Sequence, residues 1–332
     1  MLSSIDLIVE CRDYRVPLTS RNPLFEMSLA GRERAIIYTK RDLGSKRRPA
    51  DIKVCIFPYT SRRYFADLKF AMQREDMIRS WHKPSATLFS DFRSRSDIKF
   101  VLKFLKDYAS HSTSLLGSRI LVVGMPNVGK SSLLNALRME GVHRGKAAFT
   151  GAQPGVTRKI ANGVKIVDPD AEKGTEGVYL VDTPGVFVPF VPDAESMLKL
   201  ALVGSVKDTI IAPTTLADYL LFHINKQERG TELYDDYCAP TNDVIQLLEA
   251  VCWKTGRLGK GAVPDVDAAA LWLIQRWRQG NLGKFILDEV TEDGLEKKMM
   301  EKVGESLSQA RKRKKNEQIA RARLRQAETA KA

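Results

Sequence analysis

One segment of the chain has the residue pattern of a phosphate-binding loop. Its sequence, GMPNVGKSS from Gly124 to Ser132, matches the pattern GxxxxGK[ST] at every fixed position. The segment follows a predicted buried strand, residues 119–123, and precedes a stretch with helical spacing of apolar residues. In such a loop the glycines let backbone N–H groups turn towards phosphates, Lys130 neutralises the β and γ phosphates, and Ser131 offers a hydroxyl to Mg²⁺.

A second segment, DTPG at residues 182–185, directly follows a predicted strand. In a phosphate-binding fold, an acid at a neighbouring strand end reaches Mg²⁺ through water, and a following glycine can donate its N–H to the γ-phosphate. Asp182 and Gly185 are the candidates for these two roles. Asp, Pro and Gly are also ordinary turn residues, so the segment gains its weight from lying downstream of a complete phosphate loop.

Between these two segments lies QPGVTR, residues 153–158. A loop here can bring a threonine hydroxyl to Mg²⁺, and the chain offers Thr157 and, as a competitor, Thr150. The alternative is a type II turn at Pro154-Gly155 with no ligand role.

A base-reading acid is found upstream of the phosphate loop. Guanine is read by an acid that accepts from its N1 and N2 positions, in a sequence of the form [NT]KxD. Downstream of residue 185 no such sequence occurs, but Thr39-Lys40-Arg41-Asp42 follows a predicted strand over residues 34–38. The functional segments are therefore expected in permuted order, which a sheet tolerates because neighbouring strands need not be consecutive in the chain.

The pattern of elements predicts an α/β fold. Strands and helices alternate over the first 190 residues, which predicts a P-loop NTPase domain with a doubly wound, mostly parallel sheet. Beyond that point apolar residues follow helical spacing, with Thr241 as a predicted N-cap and Gly256 as a stop. We expect three parts: a nucleotide-binding domain at 1–190, a smaller all-helical domain at 191–290 and a charged tail at 291–332. The predicted strands are residues 4–11, 34–38, 54–57, 86–89, 119–123 and 178–181, and the predicted helices are 73–81, 97–108, 131–139, 244–252 and 267–279.

The charge balance favours a polyanionic partner. The 332 residues contain 53 Lys and Arg against 40 Asp and Glu, a net charge of +13, and the last 42 residues hold 12 basic and 7 acidic side chains. A basic body with a basic tail is typical of nucleic-acid binding, and a solubility charge is the alternative. No run of 18 apolar residues occurs, and the four cysteines and four histidines lack disulfide-framework or metal-ligand spacing.

These motifs, taken together and in this order, resemble the circularly permuted GTPases of ribosome assembly, of the YlqF type. The mitochondrial members of eukaryotes, fungal ones above all, are the nearest resemblance. The opening segment, residues 4–23, resembles the family's first strand and turn. The resemblance covers residues 4–43, 74–168 and 175–290.

The resemblance implies a GTP hydrolase that acts in assembly of the mitochondrial large ribosomal subunit, and so in mitochondrial translation. Its partners would be rRNA and proteins of that subunit. It implies a monomer in the mitochondrial matrix, with peripheral association at the matrix face of the inner membrane as a variant, and no transmembrane segment. GTP or GDP and Mg²⁺ would be bound, and K⁺ is a further candidate.

The resemblance also assigns residues to these roles. It favours Thr157 over Thr150 as the Mg²⁺ ligand. The catalytic set is Lys130, Thr157 and Gly185. The Mg²⁺ set is Ser131, Thr157 and Asp182, and the possible K⁺ ligand is Asn127. The nucleotide-binding set is Thr39, Lys40, Asp42, Ser90, Asn127, Val128, Gly129, Lys130, Ser131, Ser132 and Gly185.

Three departures from the family pattern stand out. Thr39 replaces the usual Asn, so its contact to neighbouring loops is expected to differ, while Asp42 keeps guanine selectivity. Residues 44–73 have the form of an insertion, either a genuine loop or a mis-annotated segment, and its presence favours Ser90 over Thr60-Ser61 as the second guanine-side loop. The family's upstream helix and targeting segment are not seen before residue 4, and the acidic residues of the first 25 positions are atypical of a transit peptide.

Alternative functions remain at this point: a nucleotide-gated rRNA-binding scaffold with little turnover, an ATPase, or a GTPase of tRNA modification or membrane traffic. The residues after Gly185 are Val186, Phe187, Val188 and Pro189, none of which can orient water, so slow intrinsic hydrolysis is expected. In related loops an Asn at position 127 helps to hold K⁺ against the phosphates, and the alternative is a residue that only permits the turn.

Some conspicuous side chains receive structural interpretations. The three tryptophans of the helical part, Trp253, Trp272 and Trp277, are predicted to pack between helices. Arg278, with its neighbour Arg276, is predicted either to meet rRNA or to lie on a solvated face. The histidines His82 and His143 are predicted to lie at the surface and not to act as bases.

Overall fold

A computed structural model describes residues 5–29, 31–44, 62–111, 117–145, 163–169, 177–182, 190–300 and 314. The strands are β1 (Leu7–Asp13), β2 (Arg34–Thr39), β3 (Ala86–Phe89), β4 (Ser118–Gly124), β5 (Val164–Val167) and β6 (Val178–Asp182). The helices of the sheet-containing part are α1 (Pro23–Ser28), α2 (Arg62–Ser80), α3 (Arg95–Ser110) and α4 (Lys130–Val142). The helices that follow are α5 (Ala194–Leu202), α6 (Pro213–Asn225), α7 (Val244–Thr255), α8 (Val266–Arg278) and α9 (Gly294–Met300).

The six strands form one mixed sheet in the order β3-β2-β1-β4-β6-β5. All neighbours are parallel except β5, which runs antiparallel to β6 at the edge. The register pairs Asp13 with Thr39 and Cys11 with Gly124. The carboxyl ends of β2, β1 and β4 therefore lie side by side, and the segments that follow them meet at one edge of the sheet.

Helices cover both faces of this sheet, as predicted for a doubly wound fold. Along β1, Val9 and Cys11 face a buried apolar cluster that contains the inner residues of α3 and α4. Ile8 faces the opposite side, where a second cluster includes Phe25 of α1, and α2 packs on that side through Ile78. Strands buried on both sides are nearly continuously apolar, which is why four such runs were legible in the sequence.

The C-terminal helices share their core with the sheet. The same apolar cluster that contains Val122 of β4 and Leu133 of α4 extends through Leu200 of α5 to Leu273 of α8. The helical part is therefore packed directly against the sheet-containing part. Among the residues that the structure describes, no helix has the length and apolar content needed to cross a membrane.

The boundaries of α7 and α8 follow from their capping residues. Asp243, not the predicted Thr241, caps α7: its carboxylate accepts from the N–H of Ile245 at 2.8 Å. The Thr241 hydroxyl instead accepts from the N–H of Asp243 at 3.0 Å, so it braces the cap from outside the helix. Gly256 ends α7 with a φ of +71°, as its position in the sequence predicted.

Other element predictions differ from the structure in their limits. Helix α2 begins at Arg62, not at residue 73, so the last part of the predicted insertion continues into the helix that was expected to follow it. Strand β5 was not predicted, because four residues at a sheet edge carry too short a pattern. The predicted strand at 54–57 and the tail beyond residue 300, apart from residue 314, lie outside the described residues.

Several side chains lie elsewhere than predicted. Trp277 is buried in the core as expected, but Trp253 is 60% exposed and does not pack between helices. Arg278 pairs with Asp208 at 2.6 Å and its side chain is largely buried, so it does not lie free on a solvated face. His82 is buried, and its Nε2 lies 2.8 Å from the Tyr38 hydroxyl; His143 is exposed as predicted.

Candidate nucleotide site

The phosphate-type loop joins β4 to α4 and depends on two glycines. Gly124 has a φ of +143°, and a Cβ atom there would lie 2.3 Å from the carbonyl oxygen of Cys11 on β1. Gly129, the residue before α4, has a φ of +98°. Only glycine combines these backbone angles with so close an approach, so the loop can present its N–H groups at the amino end of α4.

Lys130 lies where a phosphate-binding lysine is needed. The residue is buried, and its Nζ donates to the carbonyl oxygens of Gly124 at 2.9 Å and Met125 at 2.7 Å. These contacts hold the ammonium over the loop, where it can exchange carbonyl oxygens for phosphate oxygens. Ser131 and Ser132 follow in the first turn of α4, each half-buried.

The base-reading segment packs directly on the phosphate loop. Thr39 ends β2, and its hydroxyl lies within hydrogen-bonding reach of the carbonyl oxygens of Val128 and Arg12. Lys40, in the left-handed region at a φ of +55°, donates from Nζ to the carbonyl oxygen of Asn127 at 2.6 Å. Thr39 therefore makes a bracing contact to the phosphate loop.

Asp42 and Ser90 lie at the same edge, one strand apart. The N–H of Ser90 donates to the carbonyl oxygen of Tyr38 at 2.8 Å, and the N–H of Arg41 donates to the carbonyl oxygen of Ser90 at 3.4 Å. The loop after β3 is thereby fixed against the loop after β2. Ser90 is thus brought beside the guanine-type segment, as predicted, while Thr60 and Ser61 lie outside the described residues.

Two buried oxygens at this edge lack a partner. Asp42 Oδ1 and Ser90 Oγ are buried and have no hydrogen bond within the described part of the chain. Burial and the nearby charge of Asp91 raise the pKa of Asp42. A ligand that donates N–H groups would satisfy the Asp42 oxygen and stabilise its ionised form, and the N1 and N2 edge of guanine has that donor pattern. The residues present therefore fit a guanine base.

Asp13, at the end of β1, holds the base-reading segment in place and was missed in the sequence. Its carboxylate accepts from Lys40 Nζ at 2.9 Å and from Arg15 Nη2 at 2.8 Å. Burial alone would raise the pKa of Asp13, but the charges of Arg15 and Lys40 outweigh it and hold that pKa well below its usual range. The sequence shows an acid just after a predicted strand. Only the strand order reveals that this strand lies between the two strands that carry the guanine segment and the phosphate loop.

Asn127, the candidate K⁺ ligand, has the left-handed φ of +58°. Its Nδ2 donates to the carbonyl oxygen of Gly204, in the turn after α5, at 2.9 Å. The residue therefore joins the phosphate loop to the helical part. Of the other predicted site residues, Thr157 and Gly185 lie outside the described residues, as does the side chain of Asp182, whose backbone ends β6.

Known proteins similar to this chain are GTPases. The family model described as 50S ribosome-binding GTPase matches residues 119–249. The chain is 36% identical to "Mitochondrial GTPase 1" of Schizosaccharomyces japonicus, over 88% of this chain and 86% of that protein. It is 32% identical to "Mitochondrial ribosome-associated GTPase 1" of Xenopus tropicalis, over 86% and 88% of the two chains.

The fold has a solved counterpart. The structure titled "Crystal structure of GNP-bound YlqF from T. maritima" aligns with a TM-score of 0.53 and 21% identity, over 87% of this chain and 94% of that chain. At that identity the likeness establishes the fold alone. The similarity in sequence over most of its length is what identifies the family: the chain belongs to the mitochondrial GTPase 1 family, the circularly permuted P-loop GTPases also named mitochondrial ribosome-associated GTPase 1.

Proposed function

We propose that the protein binds and hydrolyses GTP during assembly of the mitochondrial large ribosomal subunit, and so serves mitochondrial translation. The observation that carries the nucleotide assignment is the contact of Lys40 with Asn127, which joins the guanine segment and the phosphate loop. The names of the relatives support the ribosomal and mitochondrial assignment. We place the protein in the matrix as a monomer, with peripheral binding to the inner membrane as a variant.

The nucleotide would be held mainly by residues at four strand ends, those of β2, β3, β4 and β6. Asp42 would accept from the guanine base, with Ser90 beside it, and the N–H groups from Asn127 to Ser132 would surround the phosphates. Lys130 would neutralise phosphate charge, and Gly185 would donate its N–H to the γ-phosphate. Bound Mg²⁺ supplies charge neutralisation at the phosphates, and Ser131, Thr157 and Asp182 would hold it.

Hydrolysis is proposed to be slow in the isolated protein. Val186 and its apolar neighbours offer no side chain that can position water. A ribosomal partner, and K⁺ held in part by Asn127, would supply the missing stabilisation, as an arginine finger does elsewhere. Since Asn127 uses its Nδ2 for Gly204, K⁺ would be bound through the amide oxygen.

The three parts of the chain receive separate roles in this proposal. Residues 1–190 bind the nucleotide, 191–290 contact rRNA, and the tail at 291–332 adds non-specific affinity through its 12 basic side chains. The exposed Trp253 ring on the helical part supports RNA contact. Arg257 and Arg276, both half-buried, lie 4.7 and 4.9 Å from the centre of the half-buried Trp272 ring and add positive charge to that part.

The experiment is a GTPase assay with purified mitochondrial large subunits or their assembly intermediates. We expect subunits to raise the hydrolysis rate and to bind better with a GTP analogue than with GDP. The competing function, a nucleotide-gated scaffold, predicts nucleotide-dependent binding with no rise in rate. Subunit binding that is equal with the GTP analogue and with GDP, together with an unchanged rate of hydrolysis, would contradict both functions.

A further inference from the structure

Two consecutive residues of α8, Trp277 and Arg278, each begin a chain of contacts that ends on Asn127 of the phosphate loop. One chain reaches the backbone of Asn127 and the other reaches its side chain. Helix α8 belongs to the part that is proposed to touch RNA, while Asn127 belongs to the part that is proposed to hold phosphate. The contacts therefore connect the two activities physically.

The first chain of contacts runs through buried charges. The Arg15 guanidinium lies 4.7 Å from the centre of the Trp277 ring, a cation–π contact. The same guanidinium binds the Asp13 carboxylate, with Nε and Nη2 at 3.0 and 2.8 Å. Asp13 binds Lys40, whose Nζ donates to the carbonyl oxygen of Asn127. Each link is a charged contact, and these are the strong ones.

The second chain of contacts runs through a turn. Arg278 donates from Nε to the carbonyl oxygen of Leu202 at 2.9 Å and from Nη2 to that of Ala201 at 2.8 Å. These bonds shape the turn after α5, in which Gly204 has a φ of +82° and lies against the same guanidinium. The carbonyl oxygen of Gly204 accepts from Asn127 Nδ2. Arg278 thus sets the position of an acceptor for the phosphate loop without touching that loop.

The first chain of contacts is buried, so moving one of its side chains disrupts the contacts of the others. The side chains of Asp13 and Arg15 are each 1% exposed. If Trp277 moved away from Arg15, the guanidinium would lose a desolvated contact that water cannot replace without opening the core. Displacing one member of such a set leaves the others as uncompensated buried charges, which is strongly unfavourable.

We propose that Asp13, Arg15 and Arg278 are positioning residues through which α8 sets the geometry of the guanine segment and the phosphate loop. This inference rests on the proposed nucleotide site. A partner that shifts α8 changes nucleotide affinity, and by linkage the nucleotide changes the position of α8.

The first test measures the Kd of a fluorescent GDP analogue for folded full-length variants. Asp13→Asn should weaken binding by roughly 10- to 100-fold, the range of a lost charged hydrogen bond. Arg278→Gln should weaken GDP binding less, by roughly 3- to 10-fold. This is the range for losing one neutral hydrogen bond, here that of Asn127 to the carbonyl oxygen of Gly204. Because both chains of contacts end on Asn127, the double variant should lose less than the product of the two factors.

A matched control separates positioning from general stability. Glu10→Gln breaks a buried ion pair on the same strand, to Arg12 at 2.7 Å, but on the opposite face of β1 and away from the guanine segment. It should lower the melting temperature while leaving the GDP affinity of the folded protein within about twofold of wild type, an effect of only about 0.4 kcal/mol. Asp13→Asn and Arg278→Gln binding GDP as tightly as Glu10→Gln would overturn the proposal.

A second measurement does not depend on Asp13→Asn folding. With Trp81, Trp253 and Trp272 replaced by Phe, Trp277 is the single emitter, since the chain has four tryptophans. GDP should shift its emission although it does not touch the ring, and Arg278→Gln should reduce that shift. A Trp277 emission spectrum that does not change at a saturating concentration of GDP would overturn the proposal. If the wild type shows no preference for guanine nucleotides, it is the proposed function that fails.

Discussion

Replacing Asp42 by Asn tests the base-reading assignment, because it exchanges one carboxylate oxygen for an amide NH2 and changes little else. Asp42 is 7% exposed, and its Oδ1 has no hydrogen-bond partner among the described residues. The variant amide keeps one oxygen that can accept from N1–H, but it presents a donor where the 2-amino group of guanine also presents donors. Xanthine has N1–H and a carbonyl oxygen at position 2, so the same amide would pair with xanthine.

The expected size of the effect follows from the two contacts at stake. Guanine offers two N–H donors, at N1 and N2, to one buried carboxylate. A hydrogen bond to a charged group contributes about 1.5–3 kcal/mol, and a buried donor left without an acceptor costs about 1–3 kcal/mol, so the lost N2 contact and the opposed donors together cost about 3–6 kcal/mol. That corresponds to a loss of roughly 10²- to 10⁴-fold in GTP affinity.

The assay is competition of GTP, XTP and ATP against a fluorescent guanine nucleotide in the wild type, and against a fluorescent xanthine nucleotide in Asp42→Asn. The variant should bind XTP well, which also shows that it is folded, and ATP affinity should change little. Ser90→Ala serves as a milder comparison, because Ser90 lies beside the base and does not read N1. Undiminished GTP affinity in Asp42→Asn would refute the assignment of residues 39–42 as the guanine segment.

Three further predictions concern the C-terminal tail, Asn127 and His82. Deleting residues 305–332, which removes the eight basic side chains between 311 and 325, should flatten the log–log salt dependence of rRNA binding without changing GDP affinity; an unchanged slope would reduce the tail to a solubility segment. Hydrolysis should be faster in K⁺ than in Na⁺ of equal ionic strength, and Asn127→Ala should reduce that difference more than it reduces GTP affinity, whereas equal rates in the two salts would remove K⁺ from the mechanism. Burial, followed by the charge of Arg12, lowers the pKa of His82 to about 3. The unfolded chain therefore takes up the proton first, and stability present above pH 6.5 should fall by up to about 1.4 kcal/mol per pH unit as pH falls towards 3. The free energy of unfolding, measured with urea, should be about 2 kcal/mol lower at pH 5 than at pH 7. The difference should be smaller in His82→Gln, whose amide keeps a partner for Tyr38. The same difference in both proteins would assign it to another group.

The phosphate loop, the strands and the permuted order were legible in the sequence because each depends on local chemistry. Gly124 and Gly129 are required by backbone angles at their own positions, and Lys130 and Ser131 follow them directly. The strand at 119–123 is apolar from residue 120 to residue 123 because both faces of a parallel sheet are covered. The guanine segment at 39–42 follows its strand immediately, so it too could be found without the fold.

Only the tertiary structure decided how these segments contact one another. The order β2-β1-β4 places Asp13 between the guanine segment and the phosphate loop, and nothing in the local sequence of Asp13 distinguishes it from an ordinary turn acid. The contact of Asn127 with Gly204 joins residues 77 positions apart.

Burial likewise decided which charged side chains were available for partners. Arg278 reads as a surface cation, but its guanidinium is turned inward to Asp208 and to two backbone carbonyl oxygens. A buried charge must find its partner wherever the fold brings one, and that choice depends on long-range packing, which residue spacing along the chain does not specify.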